Sequence, residues 1–76
     1  MQDFKTTDIG LAAAITAADF KISRIESDGV KGTFYFDKTD ELLKAVNEYW
    51  DGSLFVNARK MFENIKIIKG RVRSSL

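Results

Sequence analysis

Between Asp8 and Ala18 the chain is rich in alanine, and apolar residues occur on every side of the helix this stretch would form. Leu11, Ala14, Ile15 and Ala18 share one face at 3.6-residue spacing, while Ile9, Ala12, Ala13 and Thr16 fill the other. Thr6, Thr7 and Asp8 supply the short polar side chains that cap a helix start. The arm before them, residues 1–5, is expected to pack Phe4 back onto the first turn as a hydrophobic staple. A helix of such small girth accepts close neighbours on more than one side, so the pattern predicts a central packing element.

At Asp19 the period changes. Phe20, Ile22 and Ile25, interleaved with Lys21, Ser23 and Arg24, alternate imperfectly. Val30, Gly32, Phe34 and Phe36 alternate cleanly with Lys31, Thr33 and Tyr35, which is the period-two signature of a strand. Ser27-Asp28-Gly29 lies between them, and Asp-Gly is the favoured pair for a type I′ turn, in which both central residues have positive φ. A β-hairpin over residues 20–37 follows.

Asp37 and Thr39 offer caps for a second helix, and Asp40 and Glu41 sit in its first turn, where negative charge meets the positive end of the macrodipole. Leu42, Leu43, Val46, Tyr49 and Trp50 form its apolar stripe, with Tyr49 and Trp50 expected to anchor the core. Gly52 stands where a left-handed residue ends a helix. Leu54, Phe55 and Val56 favour extended backbone, and the sequence leaves open whether residues 54–56 form a short third strand or a connector. Asn57 caps a third helix, in which Ala58, Met61, Phe62, Ile65, Ile68 and Val72 share a broad face. Gly70 is expected to stop it early, leaving a basic tail through Leu76. The reading is a small two-layer α+β domain over residues 1–76, in the order α-β-β-α-α, with a β-hairpin covered by helices.

Length and composition narrow the chemistry. A chain of 76 residues builds one core and buries only about 60% of the surface it exposes when unfolded. With no Cys and no His there is no disulfide framework, no Cys/His zinc site and no catalytic thiol or imidazole. An enzyme is therefore not expected, nor is a cofactor. The cluster Asp37, Asp40 and Glu41 could ligate a divalent cation, but its place at a helix start explains it without a metal. The five glycines are scattered without the spacing of a phosphate-binding loop. Gly10, inside the first helix, costs about 1 kcal/mol relative to Ala, which points to close approach by another backbone. The longest unbroken apolar stretch, Leu11 to Ile15, is far short of a membrane span, and no secretory leader is evident, so a cytoplasmic location is expected.

Net charge is +1, but it is unevenly spread. Residues 1–56 carry six basic and ten acidic residues, whereas residues 57–76 carry six basic and one acidic. On the third helix Arg59, Lys66 and Arg73 recur every seven residues with Lys69 adjoining, and Lys60 and Arg71 flank the other side. Such a surface tracks phosphates, so Arg59, Lys66, Lys69, Arg71 and Arg73 are the candidate nucleic-acid contacts. The structural alternative is a basic helix end that complements its own dipole and keeps the protein soluble. Ile67, off the apolar stripe, and Phe55 are candidates for a protein interface or homodimer contact. Tyr35, opposite the Phe34/Phe36 face of its strand, either stacks on a base or covers a neighbouring side chain.

Four stretches carry a family resemblance: Phe4-Lys5-Thr6-Thr7-Asp8-Ile9-Gly10-Leu11-Ala12-Ala13-Ala14, Phe34-Tyr35-Phe36-Asp37, Glu48-Tyr49-Trp50-Asp51-Gly52, and Val56-Asn57-Ala58-Arg59-Lys60-Met61-Phe62. Over nearly its full length the chain resembles a small family of uncharacterised bacterial and phage-associated proteins, a domain of unknown function. The resemblance carries no catalytic motif. What it implies is context, in which small proteins of this kind bind nucleic acid or other proteins.

Overall fold

Three strands and three helices make up the computed structural model, which describes residues 2–74. They are β1 (Asp3–Thr6), α1 (Ile9–Ala17), β2 (Ile22–Ser27), β3 (Gly32–Asp37), α2 (Asp40–Asp51) and α3 (Ala58–Ser74). The α+β class and the covered hairpin hold. The element order is β-α-β-β-α-α rather than α-β-β-α-α, because the opening arm is a strand.

That strand pairs with β3, so the sheet is antiparallel with the order β1-β3-β2. Phe4 is not a staple on α1; it lies opposite Phe36, with ring centroids 6.5 Å apart. Too short to show a period, β1 is held by its partner's hydrogen bonds, and tertiary pairing of this kind is invisible to local pattern. Residues 54–56 do the reverse: apolar and β-favouring, they form no strand and remain a connector. Both sheet edges are β1 and β2, and neither accepts them.

The imperfect alternation of β2 has a specific cause. Ile22 opposes Phe36 and Arg24 opposes Tyr35, so Ser23 is the extra residue of a β-bulge. Its hydroxyl donates to the Tyr35 carbonyl at 3.0 Å. The bulge keeps Ile22 and Ile25 on the same inner face despite their odd spacing, and it sends Arg24 and Glu26 outward. Each inner row then reads across three strands: Phe4, Phe36 and Ile22 in one, and Thr6, Phe34 and Ile25 in the next.

On this face sits a helical layer. Leu11, Ala12, Ala13, Ile15, Phe34, Phe36, Leu42, Val46, Ile68 and Val72 form the core cluster, with Tyr49, Met61 and Ile65 packed against it. Six of the nine residues of α1 are buried, which is what a helix apolar on all sides requires. It runs between α2 and α3, and the principal extents of the molecule are 34 × 32 × 17 Å. Among the described residues no helix is long and apolar enough to cross a membrane.

Local chemistry sets the element ends. Asp8 caps α1, its Oδ1 accepting from the Leu11 amide at 3.0 Å, and Thr39 caps α2 through the Leu42 amide at 3.1 Å. Gly52, at φ 78°, closes α2 with the Ser53 amide on the Glu48 carbonyl at 2.9 Å. The same arrangement closes α1, with Asp19 in the glycine position at φ 74° and the Phe20 amide on the Ile15 carbonyl at 3.2 Å. Gly70 does not end α3, which continues to Ser74; the far end of the expected basic tail, residues 75–76, lies outside the described residues.

At the hairpin tip only Gly29 has positive φ, so the turn is not type I′. Asp28 substitutes for the second left-handed residue: its carboxylate accepts from the Val30 amide at 2.9 Å and the Lys31 amide at 2.7 Å. Those two hydrogen bonds hold its pKa below the usual aspartate value. A depressed folded pKa contributes stability that is present above the unfolded value and is lost as pH falls through the folded one. In an amide-resolved pH titration, the Val30 and Lys31 signals should therefore move together at a midpoint below the ordinary aspartate range, and Asp28→Ala should abolish that movement.

Two glycines give opposite expectations. A Cβ on Gly32 would lie 2.7 Å from Val72 Cγ2, so α3 rests directly on the backbone of β3. Beside it the Ser27 hydroxyl donates to the Val72 carbonyl at 2.7 Å, satisfying one of the carbonyls a helix C-terminus leaves without a partner. A Cβ on Gly70 would meet nothing within 4 Å. In chemical denaturation Gly32→Ala should cost about 1–3 kcal/mol through overpacking, whereas Gly70→Ala, inside an exposed helix, should gain about 0.5–1 kcal/mol.

Candidate functional site

The basic residues of α3 are all exposed, but they do not form one uniform stripe. The N-terminal end of the helix is largely neutralised. Arg59 Nε meets Glu63 Oε1 one turn on at 3.3 Å, and Lys60 Nζ meets Asp19 Oδ1 at 2.8 Å. Beyond Glu63 the helix carries Lys66, Lys69, Arg71 and Arg73 and no carboxylate. The Lys66 ammonium lies 4.8 Å from the centre of the Phe62 ring, which explains why Phe62, expected in the core, stays at the surface.

The remaining three cations divide between two clefts on either side of the helix. Lys69 and Arg73 rim a cleft of about 370 Å³ floored by Ile9, Val30 and Val72, where the hairpin tip and the start of α1 meet the end of α3. Arg71 faces the other way, with Lys21, onto a groove of about 290 Å³ lined by Phe20, Ile22, Ile67 and Ile68. Asn64 and Thr16 close its end, their side chains hydrogen-bonded at 3.0 Å. The structure thus pairs Arg59 with Glu63 and separates Arg71 from Lys69 and Arg73 by the helix itself.

Of the two candidate interface residues, Ile67 is 59% exposed at the edge of this groove, and Phe55 is 92% exposed in the α2–α3 connection and lines neither cleft. Trp50 corrects an expectation. It does not anchor the core but stands 62% exposed, while Tyr49 alone turns inward. The reason is Gly10: a Cβ there would lie 3.0 Å from the Tyr49 hydroxyl, so α1 makes room for one ring of the pair. The close approach that Gly10 permits is thus by a side chain rather than a backbone.

On the outer face of the sheet Tyr35 is already partnered. Tyr35 points outward but is only 9% exposed, because the Arg24 guanidinium lies 4.1 Å from its ring centre and its hydroxyl donates to Glu26. Tyr35 therefore covers its neighbours, and its ring is closed to a stacking base. Asp40 and Glu41 occupy the first turn of α2 behind Thr39, and among the described residues no three carboxylates gather in a group able to hold a metal ion.

Sequence reasoning did not single out Lys21, Phe20, Val30 or the exposure of Trp50. Lys21 and Phe20 follow the left-handed turn at Asp19, which swings them under α3, and no local pattern reports that. Val30 carried a weak signal: it follows Asp-Gly directly and belongs to the turn, not to the strand.

A three-stranded antiparallel sheet covered on one face by three helices, with an exposed basic helix flanked by two clefts, defines the class: a small α+β domain. The chain belongs to the family described as a domain of unknown function (DUF5659), which matches residues 1–74. No curated protein and no solved structure matches the chain.

Asp19 links the fold to this surface and decides a prediction. A non-glycine residue in the left-handed region costs about 1–2 kcal/mol, less for Asp than for most, whereas its exposed pair with Lys60 returns at most about 1 kcal/mol. Asp19→Gly should raise the melting temperature slightly, and adding salt should widen the difference a little, because salt screens the pair with Lys60 that only the wild-type chain makes.

Proposed function

We propose that the protein is an accessory nucleic-acid-binding module that grips phosphates with the C-terminal half of α3. The observation that carries this reading is the run of four exposed cations, Lys66, Lys69, Arg71 and Arg73, in a stretch that holds no carboxylate. They lie on a convex helix with its flanks open, a shape suited to contacting a backbone and not to enclosing a small substrate. Arg59 is a lesser contributor, since Glu63 already meets it.

The contacts would position the nucleic acid and not read its sequence, because lysine and arginine side chains on a helix flank meet phosphates and the Tyr35 ring is covered. The resemblance to bacterial and phage-associated proteins is consistent with such an accessory role on a mobile element, in the cytoplasm. A second reading, a protein-interaction module, draws on one observation, the apolar groove beneath Ile67.

Fluorescence anisotropy of labelled single- and double-stranded DNA and RNA tests the first. Four phosphate contacts give a log–log salt slope of about −3 to −4, so affinity should fall by about 10²-fold between about 50 and 200 mM salt. Lys66→Glu with Lys69→Glu should weaken binding to every sequence alike and flatten the slope by about two. Arg59→Glu with Lys60→Glu should do distinctly less. No binding at low salt would overturn the proposal, as would equal losses from the two pairs.

A further inference from the structure

Trp50 is the largest side chain of the protein, and it stands outside the core, 62% exposed. Its indole meets the Tyr49 ring edge-on at 5.0 Å and 83°. Tyr49 in turn is wedged into the space left by Gly10 and packs against the core. Tryptophan is among the residues most enriched at the energetic centres of protein interfaces.

Its electrostatic setting is one-sided. Trp50 stands in the last turn of α2, which contains Glu48 and Asp51 and no basic residue, at the negative end of the helix dipole. The groove between α3 and the start of β2 has the opposite character. Phe20, Ile22, Ile67 and Ile68 supply an apolar floor, and Lys21 and Arg71 supply positive charge at its border. At about 290 Å³ it lies at the lower end of the roughly 300–1,000 Å³ of ligand clefts, which suits a single aromatic side chain better than a larger ligand. The charges of the whole chain repeat the match. Residues 40–51 hold four acidic residues and one basic, residues 58–74 hold six basic and one acidic, and the net charge of +1 opposes association hardly at all.

We infer that the chain self-associates by seating Trp50 of one copy in the Phe20/Ile22/Ile67 groove of another, with Asp51 and the carboxyl end of α2 facing Lys21 and Arg71. This contact needs no nucleic acid to form and shares only Arg71 with the nucleic-acid reading. Trp50 and Ile67 are both solvent-exposed in the single chain, so neither side chain is needed for folding. Because anchor and groove are different surfaces, a variant that has lost one still offers the other.

The test is sedimentation equilibrium of the full chain without nucleic acid, from about 10 μM to 1 mM, the range in which weak association is read. The wild-type mass should rise with concentration above that of one 8.6 kDa chain. Trp50→Ala and Ile67→Glu should each weaken association by about tenfold or more, with circular dichroism unchanged. Lys21→Glu should weaken it by a smaller factor that shrinks as salt is added. A mixture of Trp50→Ala with Ile67→Glu should associate better than either variant alone, since one intact anchor then meets one intact groove. A wild-type chain that stays monomeric throughout overturns the inference and leaves the groove to another occupant. Association that survives Trp50→Ala undiminished, or variants that gain nothing on mixing, overturns it equally.

Discussion

Everything in this fold is arranged around a nine-residue helix that has no polar side to show. Of α1, only Ile9, Gly10 and Thr16 retain partial exposure, and the alanines at 12, 13, 14 and 17 are buried. A helix of that composition gains little from its own side chains, because alanine buries little area; its stability comes from neighbours that approach closely. The sheet, α2 and α3 supply them. Close approach then dictates the other small residues: Gly10 admits Tyr49, and Gly32 on the facing strand admits Val72. With no cysteine to form a disulfide, a 76-residue chain relies heavily on the density of packing around this one helix.

Where the local pattern and tertiary structure agree, the sequence could be read directly. The caps at Asp8, Thr39 and Asn57, the left-handed Gly52 and the period-two run of β3 depend on near neighbours alone, and each lies where its chemistry predicts. The departures share one cause, the action of residues distant in sequence. Asp3–Thr6 becomes a strand because β3 has a free edge beside it, and 54–56 does not, although its propensity is higher. Ser23 interrupts an alternation that only register with Tyr35 makes intelligible. Gly70 stays helical because Ile68 and Val72, on either side of it, are buried and hold the turn in place against the propensity of one residue.

The candidate site divides along the same line. That α3 is basic and exposed was legible from charge and period. That Lys60 is paired was not, because Asp19 meets it from 41 positions away, and the stacking of Arg24 on Tyr35 depends on the bulge. The aromatic residues show it most clearly. Helical spacing put Tyr49 and Trp50 in one stripe, yet a stripe specifies a face and not a depth, and a face flanking so narrow a helix has room for one ring.

The distribution of satisfied and unsatisfied surface then limits where function can reside. On the outer sheet face Tyr35 is covered by Arg24 and hydrogen-bonded to Glu26, and the bulge at Ser23 distorts the β2 edge. The helical layer is different: α2 ends in an exposed indole at a negative pole, and α3 ends in four cations beside two clefts. A marginal domain with no stability to spare keeps large apolar and like-charged groups exposed at a cost in solubility and self-repulsion. The exposed indole of α2 and the exposed cations of α3 thus share one layer, opposite a sheet face on which Arg24, Tyr35 and Glu26 partner one another.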